Sequence, residues 1–281
     1  ILSPISLPKV VHPIQLDYVA RTKHIYWTDL LSNEIKRYSL LNGTIENVID
    51  TVIQHPQTFG IDWIAGNIFI ISKPDRDSFN SPLMFSGAAD DYNDEYEIIY
   101  EDDNEDTSNR ARRDFNNRRN KHIISKLFAC NLDGEFITEI IPEKYFENPQ
   151  SLAIDPLNAW IYWSDYSLEE IIGPNETKKF IHRTKLVRSR MDGTQLLILA
   201  DSKNQHSSLL NQTTSLILDL YLNCSRLYWV NLGSRSIQFM ELNTQEIKTI
   251  FMAEFDDNPF PTSVTIFGSK LFAFFHHDGN I

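Results

Sequence analysis

An all-β fold of the propeller type follows from three features of the 281-residue sequence. Similar pentapeptides recur, "IYWTD" at 25–29, "IYWSD" at 161–165 and "LYWVN" at 227–231, each an aromatic and β-branched run that reads as a strand. Two weaker copies, "IFIIS" at 68–72 and "LFAFF" at 271–275, keep the register, with 43 residues from Ile25 to Ile68 and 44 from Leu227 to Leu271, the period of a four-stranded propeller blade. Long stretches of 3.6-residue periodicity are absent, which leaves helices little room.

The intervals repeat an internal order. Strand a precedes each anchor: "PIQLD" (13–17), "PQTFGID" (56–62), "PQSLAID" (149–155), "TSLILD" (214–219) and "PTSVTIF" (261–267). The anchor is strand b. A third strand then leads to a turn, "LNGT" (41–44), "LDGE" (132–135), "MDGT" (191–194) or "LNTQ" (242–245), and a fourth strand follows. Asn-Gly and Asp-Gly tolerate the positive φ that a tight hairpin demands. A β-sandwich also uses aromatic strands, but it does not repeat one strand's sequence every 43 to 44 residues.

The anchors resemble the YWTD, or class B, repeats of the low-density-lipoprotein-receptor family. "LNAWIYWSD" and "NCSRLYWVN" match well, whereas "GNIFIISKP" and "SKLFAFFHH" lack the Tyr, Trp and Asp. The resemblance implies a six-bladed YWTD-type β-propeller in which Tyr26, Trp27, Tyr162, Trp163, Tyr228 and Trp229 pack within and between blades. It implies too that Asp29 and Asp165 tie neighbouring backbone, with Asn231 in the equivalent place. All are scaffold residues. Five anchors are visible, so residues 1–281 are expected to form a single incomplete propeller, truncated in its last blades. The first residue is not Met, which fits a processed chain or a fragment.

Two repeats are stretched. From the anchor's first residue to the turn glycine the spacing is 18 for Ile25 to Gly43, 66 for Ile68 to Gly134 and 32 for Ile161 to Gly193. Both excesses fall between strands b and c, placing a charged, disordered insertion at 75–122 and a shorter one at 166–185 on the same rim, with the lengthened connection at 201–214. The first insertion contains "DDYNDEYEIIYEDDNED" (90–106), whose Tyr92, Tyr96 and Tyr100 are flanked by carboxylates as in tyrosine-sulfation contexts. It also contains "RARR", in which Arg110, Arg112 and Arg113 resemble a site of furin-type convertases; the bland alternative is a polyampholyte loop. Asparagine-glycosylation sequons stand at Asn42, Asn175, Asn211 and Asn223, a count close to chance.

Several function classes are disfavoured. A net charge of −12 argues against nucleic acid, which requires a basic footprint. No apolar run is long enough for a membrane span, so no direct membrane insertion is expected. Cys130 and Cys224 lack metal-ligand spacing and are either paired or buried as free thiols. Hydrolase, metalloprotease and phosphate-loop motifs are absent, so neither catalysis nor a cofactor is expected. The adjacent His276 and His277 reads as a solvated pair or, on a binding rim, as a pH sensor.

The expected function is a non-catalytic, extracellular protein-binding propeller of an endocytic receptor, working beside EGF-like modules outside this chain and releasing ligand at low pH. The alternatives are the ectodomain of a Wnt co-receptor or sevenless-type signalling receptor, and a secreted nidogen-like matrix module.

Overall fold

The computed structural model describes residues 13–29, 32–50, 52–73, 125–172, 178–203, 210–220, 225–254 and 259–276. The first antiparallel sheet contains β1 (Pro13–Val19), β2 (His24–Asp29), β3 (Glu34–Ser39) and β4 (Ile45–Ile49). The second contains β5 (Pro56–Asp62), β6 (Asn67–Ser72), β7 (Lys126–Asn131) and β8 (Thr138–Ile141). The third is β9 (Pro149–Asp155), β10 (Trp160–Ile172), β11 (Lys178–Arg190) and β12 (Leu197–Asp201), and the fourth is β13 (Thr213–Asp219), β14 (Arg226–Asn231), β15 (Ser236–Glu241) and β16 (Glu246–Met252). A two-stranded sheet, β17 (Phe260–Phe267) and β18 (Lys270–His276), comes last. The described residues therefore form four complete blades and a hairpin, not the six blades the resemblance implies, because no strand pairs beyond β18 among them. Their sole helical element is a 3₁₀ turn, Glu143–Tyr145.

The anchors become strand b because both faces of a blade are covered, and successive side chains on a strand point to opposite faces. Tyr26 packs toward blade 2 with Phe59, Ile61, Ile68 and Ile70. Ile161 and Trp163 pack toward blade 2 with Phe69 and Ile71, while Tyr162 packs toward blade 4 with Leu216 and Leu227. The Tyr-Trp pair thus serves two interfaces from adjacent residues. Trp27, Trp163 and Trp229 are fully buried.

Strand a is irregular near its start in all five sheets, with register shifts at Pro13/Leu16, Pro56/Thr58, Pro149/Ser151, Thr214/Ile217 and Pro261/Ser263. Bulges there sharpen the twist. The pairing also corrects one frame. Asp62, Asp155 and Asp219 pair with Asn67, Trp160 and Arg226 beside the a–b turn, but in blade 1 that place belongs to Val19, paired with His24. Asp17 lies two residues earlier, opposite Tyr26, where the other blades have Gly60, Ala153 and Ile217.

The c–d turns behave as expected, with Gly43, Gly134 and Gly193 at φ of 72°, 81° and 80°. Close packing adds a second constraint: a Cβ on Gly134 would lie 1.9 Å from the Val48 carbonyl oxygen of blade 1, and one on Gly193 2.4 Å from that of Ile140 of blade 2.

The two insertions have different outcomes. Residues 75–122 lie outside the described residues, but Ser72 pairs with Lys126, so the segment leaves and rejoins one blade. Residues 166–185 are not simply a loop. Strands β10 and β11 run for 13 residues each where β2 and β3 run for 6, and they pair continuously to Ile172 opposite Lys178, making a two-stranded ribbon. Cys130 is a buried free thiol in the blade 1–blade 2 core, where burial pushes it up to about 12. Cys224 lies outside the described residues.

Candidate ligand-binding rim

The end of strand b forms one rim. Its last regular residue, Asp29, Ser72, Asp165 or Asn231, faces the first residue of strand a: Pro13, Pro56, Pro149 or Thr213. Proline offers no N–H. In blade 3 the Asp165 carboxylate accepts instead from the connector before it, from the Glu147 N–H at 3.0 Å and the Asn148 N–H at 2.6 Å. Asn231 does related work, its Oδ1 accepting from the Ser234 N–H at 3.1 Å and its Nδ2 donating to Gln238 at 3.3 Å. In the weaker second copy the polarity reverses, because Ser72 Oγ donates to the Gln54 carbonyl at 2.5 Å. Asp29 is fully buried.

Where blades 2 and 3 meet, this rim carries a charged cluster. Lys73, immediately after β6, is only 2% exposed, and its ammonium donates to Asn148 Oδ1. Burial lowers Lys73 to about 7, with the Asp165 charge opposing that shift. Burial likewise pushes Asp165 up to about 6 against the backbone hydrogen bonds it accepts. Desolvation raises Glu147, but hydrogen bonds from Lys185 and Ser167 together with the charges of Lys185 and Arg183 outweigh it, and the carboxyl ends below its ordinary value. Next to them Arg183 binds Asp201 through Nε at 2.9 Å and Nη2 at 2.5 Å, holding that carboxyl low. The ribbon therefore leaves the blade from a base of paired charges, beside the point where residue 73 leads into the long insertion.

The inner strands are tied across blades. Thr58 donates to Gln15 at 2.8 Å, the Leu216 N–H donates to Ser151 Oγ at 2.8 Å, and the Val264 N–H donates to Ser215 Oγ at 2.9 Å. Asp17 joins this set, accepting from the Ile61 N–H at 3.2 Å and its neighbour's N–H, that of Tyr18, at 2.7 Å; burial pushes it up to about 6.

The six motif aromatics are buried, as scaffold residues would be. Asn42 is exposed on a c–d turn, its Oδ1 accepting from the Thr44 hydroxyl at 2.8 Å. Asn211 is half-buried against Gly233, with Oδ1 buried and unpartnered. His276 is exposed, its ring 5.6 Å from that of Phe260. Tyr92, Tyr96, Tyr100, Arg110, Arg112, Arg113, Asn175, Asn223 and His277 lie outside the described residues. Lys73, Asn148 and Asp17 were not singled out by the sequence: each acts across a blade boundary, and no repeat position marks them. No group of three or more His, Cys, Asp or Glu suited to hold a metal occurs among the described residues. Nor is any helix there long and apolar enough to cross a membrane.

Comparison with known proteins gives the same fold. No protein-family model matches the chain. The vitellogenin receptor of Solenopsis invicta is 20% identical over 258 residues, covering 92% of this chain and 10% of that protein. The low-density lipoprotein receptor-related protein 4 of Homo sapiens is 34% identical over 61 residues, 22% of this chain and 3% of that protein. The chain thus spans only about a tenth or less of these relatives. Nidogen, solved in complex with laminin, superposes with a TM-score of 0.61 at 18% identity over 93% of this chain and 71% of that one. A luciferin-regenerating enzyme superposes with a TM-score of 0.56 at 11% identity over 94% of this chain and 69% of that one. With the YWTD anchors in register on strand b of blades 1, 3 and 4, the chain is a homologue of the YWTD β-propellers of the low-density-lipoprotein-receptor proteins.

Proposed function

We propose that the chain is the extracellular, non-catalytic, protein-binding propeller of an endocytic receptor, and that in the whole protein the ring has six blades flanked by EGF-like modules. The observation that carries this reading is the alignment with an insect vitellogenin receptor across 92% of the chain. Ligands of this propeller are proteins, as laminin is for the nidogen structure it resembles. The insertion-bearing rim is the docking face. Tyrosine sulfation at Tyr92, Tyr96 and Tyr100 strengthens its hold on basic ligands, and a convertase cuts after Arg113. Glycan at Asn42 sits on the opposite, c–d turn side, which leaves the rim clear; the exposure of Asn42 supports this.

Release of ligand at low pH is supported by Asp165, which burial pushes up to about 6, and by Lys73, which burial lowers to about 7. The deciding experiment is to read the coding sequence beyond residue 281. A membrane span with an NPxY-type tail supports the endocytic reading, a kinase domain replaces it with the sevenless-type one, and a secreted architecture without a span replaces it with the nidogen-like one. Because a luciferin-regenerating enzyme shares the fold, an esterase assay with and without calcium tests the non-catalytic assignment. Turnover abolished by chelation overturns it. Expression in secretory cells with and without a convertase inhibitor, read by mass spectrometry, tests cleavage and sulfation together. An uncut chain of unmodified mass in both samples removes both.

A further inference from the structure

The outer side of blade 3 carries two cations with no ion-pair partner among the described residues, Arg190 feeling only the charge of Asp192 in the adjoining c–d turn. On β10 and β11, Trp160 pairs with Arg190 and Tyr162 with Arg188. The guanidinium carbons of Arg188 and Arg190 lie 4.3 and 3.9 Å from the centroid of the Trp160 ring. Arg190 Nη1 donates to the Asn158 carbonyl at 2.6 Å, and Arg188 lies beside Tyr162, its cross-strand partner. Neither forms an ion pair among the described residues, and Arg188 Nε is buried without any hydrogen-bond partner. All three side chains are half-buried and keep a face toward water.

Blade 1 shows what the same position looks like when neutralised. There Arg37 pairs with Tyr26 as Arg188 pairs with Tyr162, but it meets Glu46 at 2.6 Å and, from the c–d turn of the next blade, Asp133 at 2.5 Å. The register places Leu197 opposite Arg188 where Glu46 stands opposite Arg37. The following turn reads "LNTQ", with Asn243 in place of Asp133. Blade 3 therefore keeps the cation and lacks both anions, and adds a second arginine and an indole that stacks with both. Guanidinium on an aromatic face is preorganised, and its planar donors match a carboxylate.

We propose that Trp160, Arg188 and Arg190 form a binding site for carboxylate side chains of an acidic segment in a protein partner. A chain of net charge −12 repels extended polyanions and anionic bilayers, so a few local carboxylates suit this cluster better than nucleic acid or lipid. The inference deepens the protein-binding reading and rests on it.

The test is fluorescence anisotropy of labelled hexaglutamate titrated with the 281-residue chain, with inorganic phosphate as competitor and labelled hexaglutamine as the neutral control. Binding is expected for hexaglutamate and not for hexaglutamine, weakened by salt and not competed by phosphate. The double variant Arg188→Gln/Arg190→Gln should weaken it by about tenfold or more. Leu197→Glu, at a position 45% exposed, rebuilds the neutralising contact of blade 1 without truncating either arginine and should weaken binding similarly. Lys248→Gln, which removes an exposed cation already paired with Glu246, should leave it unchanged. Absence of hexaglutamate binding, unaltered affinity in both arginine-directed variants, or equal competition by phosphate overturns the proposal. A failure here removes this cluster alone, whereas the reading it rests on fails on the coding sequence beyond residue 281.

Discussion

The blade 2–blade 3 interface and the blade 4–hairpin interface use the same strand pattern with opposite results. At the first, Phe69, Ile71 and Leu127 meet Leu152, Ile161, Trp163 and Val187 in one buried cluster. At the second, the buried cluster among the described residues is Val230, Ile237 and Val264, with Leu271 and Ala273 partly buried against it. The register explains the contrast: in "LFAFF" the place of the anchor tryptophan belongs to Ala273, which cannot fill the space between sheets that an indole fills. On the far side of the hairpin, Phe272 and Phe274 are exposed. At the hairpin the small side chain at that register position thus limits what is buried, whereas Ile70, in the same place of blade 2, still packs into the extensive blade 1–blade 2 core.

Breaking the stronger interface should have the largest effect. Trp163→Ala removes a fully buried indole and is expected to lower unfolding free energy by about 3–5 kcal/mol in denaturant titration. A loss under about 1 kcal/mol would mean that the interface does not depend on the anchor. Next comes Gly134→Ala, which places a methyl against the Val48 carbonyl at a left-handed φ and should cost about 1–3 kcal/mol. Gly43→Ala, whose nearest neighbour would be Tyr38 at 3.7 Å, shares the φ without the clash and should cost less. Equal losses for the two glycines would show that conformation alone governs both turns.

Stability against pH sharpens the comparison, since only the blade 2–blade 3 boundary holds the Lys73–Asp165 cluster. Asp165 has a folded value of about 6 above its ordinary 3.8, so the folded state binds the extra proton between those values. The destabilisation is full above pH 6 and is relieved as pH falls toward 4. Lys73 has a folded value of about 7 below its ordinary 10.5, so its destabilisation is full below pH 7 and is relieved as pH rises toward 10.5. Between pH 6 and 7 both penalties are present. Asp165→Asn should flatten the acid side of the profile, below pH 6, and Lys73→Met the alkaline side, above pH 7; thermal scans covering both sides in which both variants keep the parent's slopes would contradict the assignment. The smallest effects belong to the hairpin. Val264→Ala should cost about 1 kcal/mol, and Phe274→Ser, on the exposed side, within about 0.5 kcal/mol of none.

Much of this architecture was legible in the sequence because the anchors are buried on both faces, and such strands keep a recognisable run of residues wherever they recur. The turn glycines were legible for their φ, but the approach of Val48 to Gly134 was not, since it joins two blades. Asp17 was misframed because its distance from Pro13 is shorter than that of Asp62 from Pro56, and only strand pairing fixes the frame. The ribbon at 166–185 looked like a tolerated loop because its residues carry no copy of the repeat's anchor or turn. Of the candidate rim, the position was legible and its chemistry was not: Lys73 is an ordinary lysine in sequence and becomes unusual only where Asn148 and Asp165 close over it.

The closing pair of blade 2 also bears on the order in which the molecule assembles. Asp29 pairs with Glu34 and Asn231 with Ser236, but Ser72 must find Lys126. Contacts between residues far apart in sequence form slowly, so β7 and β8 are expected to join last, completing a sheet whose neighbours already stand. Their recruitment then depends on blade 1 as a template. Arg37 reaches the Leu132 carbonyl and Asp133, and Gly134 lies under Val48, so late arrival at blade 2 is guided by contacts made sideways rather than along the hairpin.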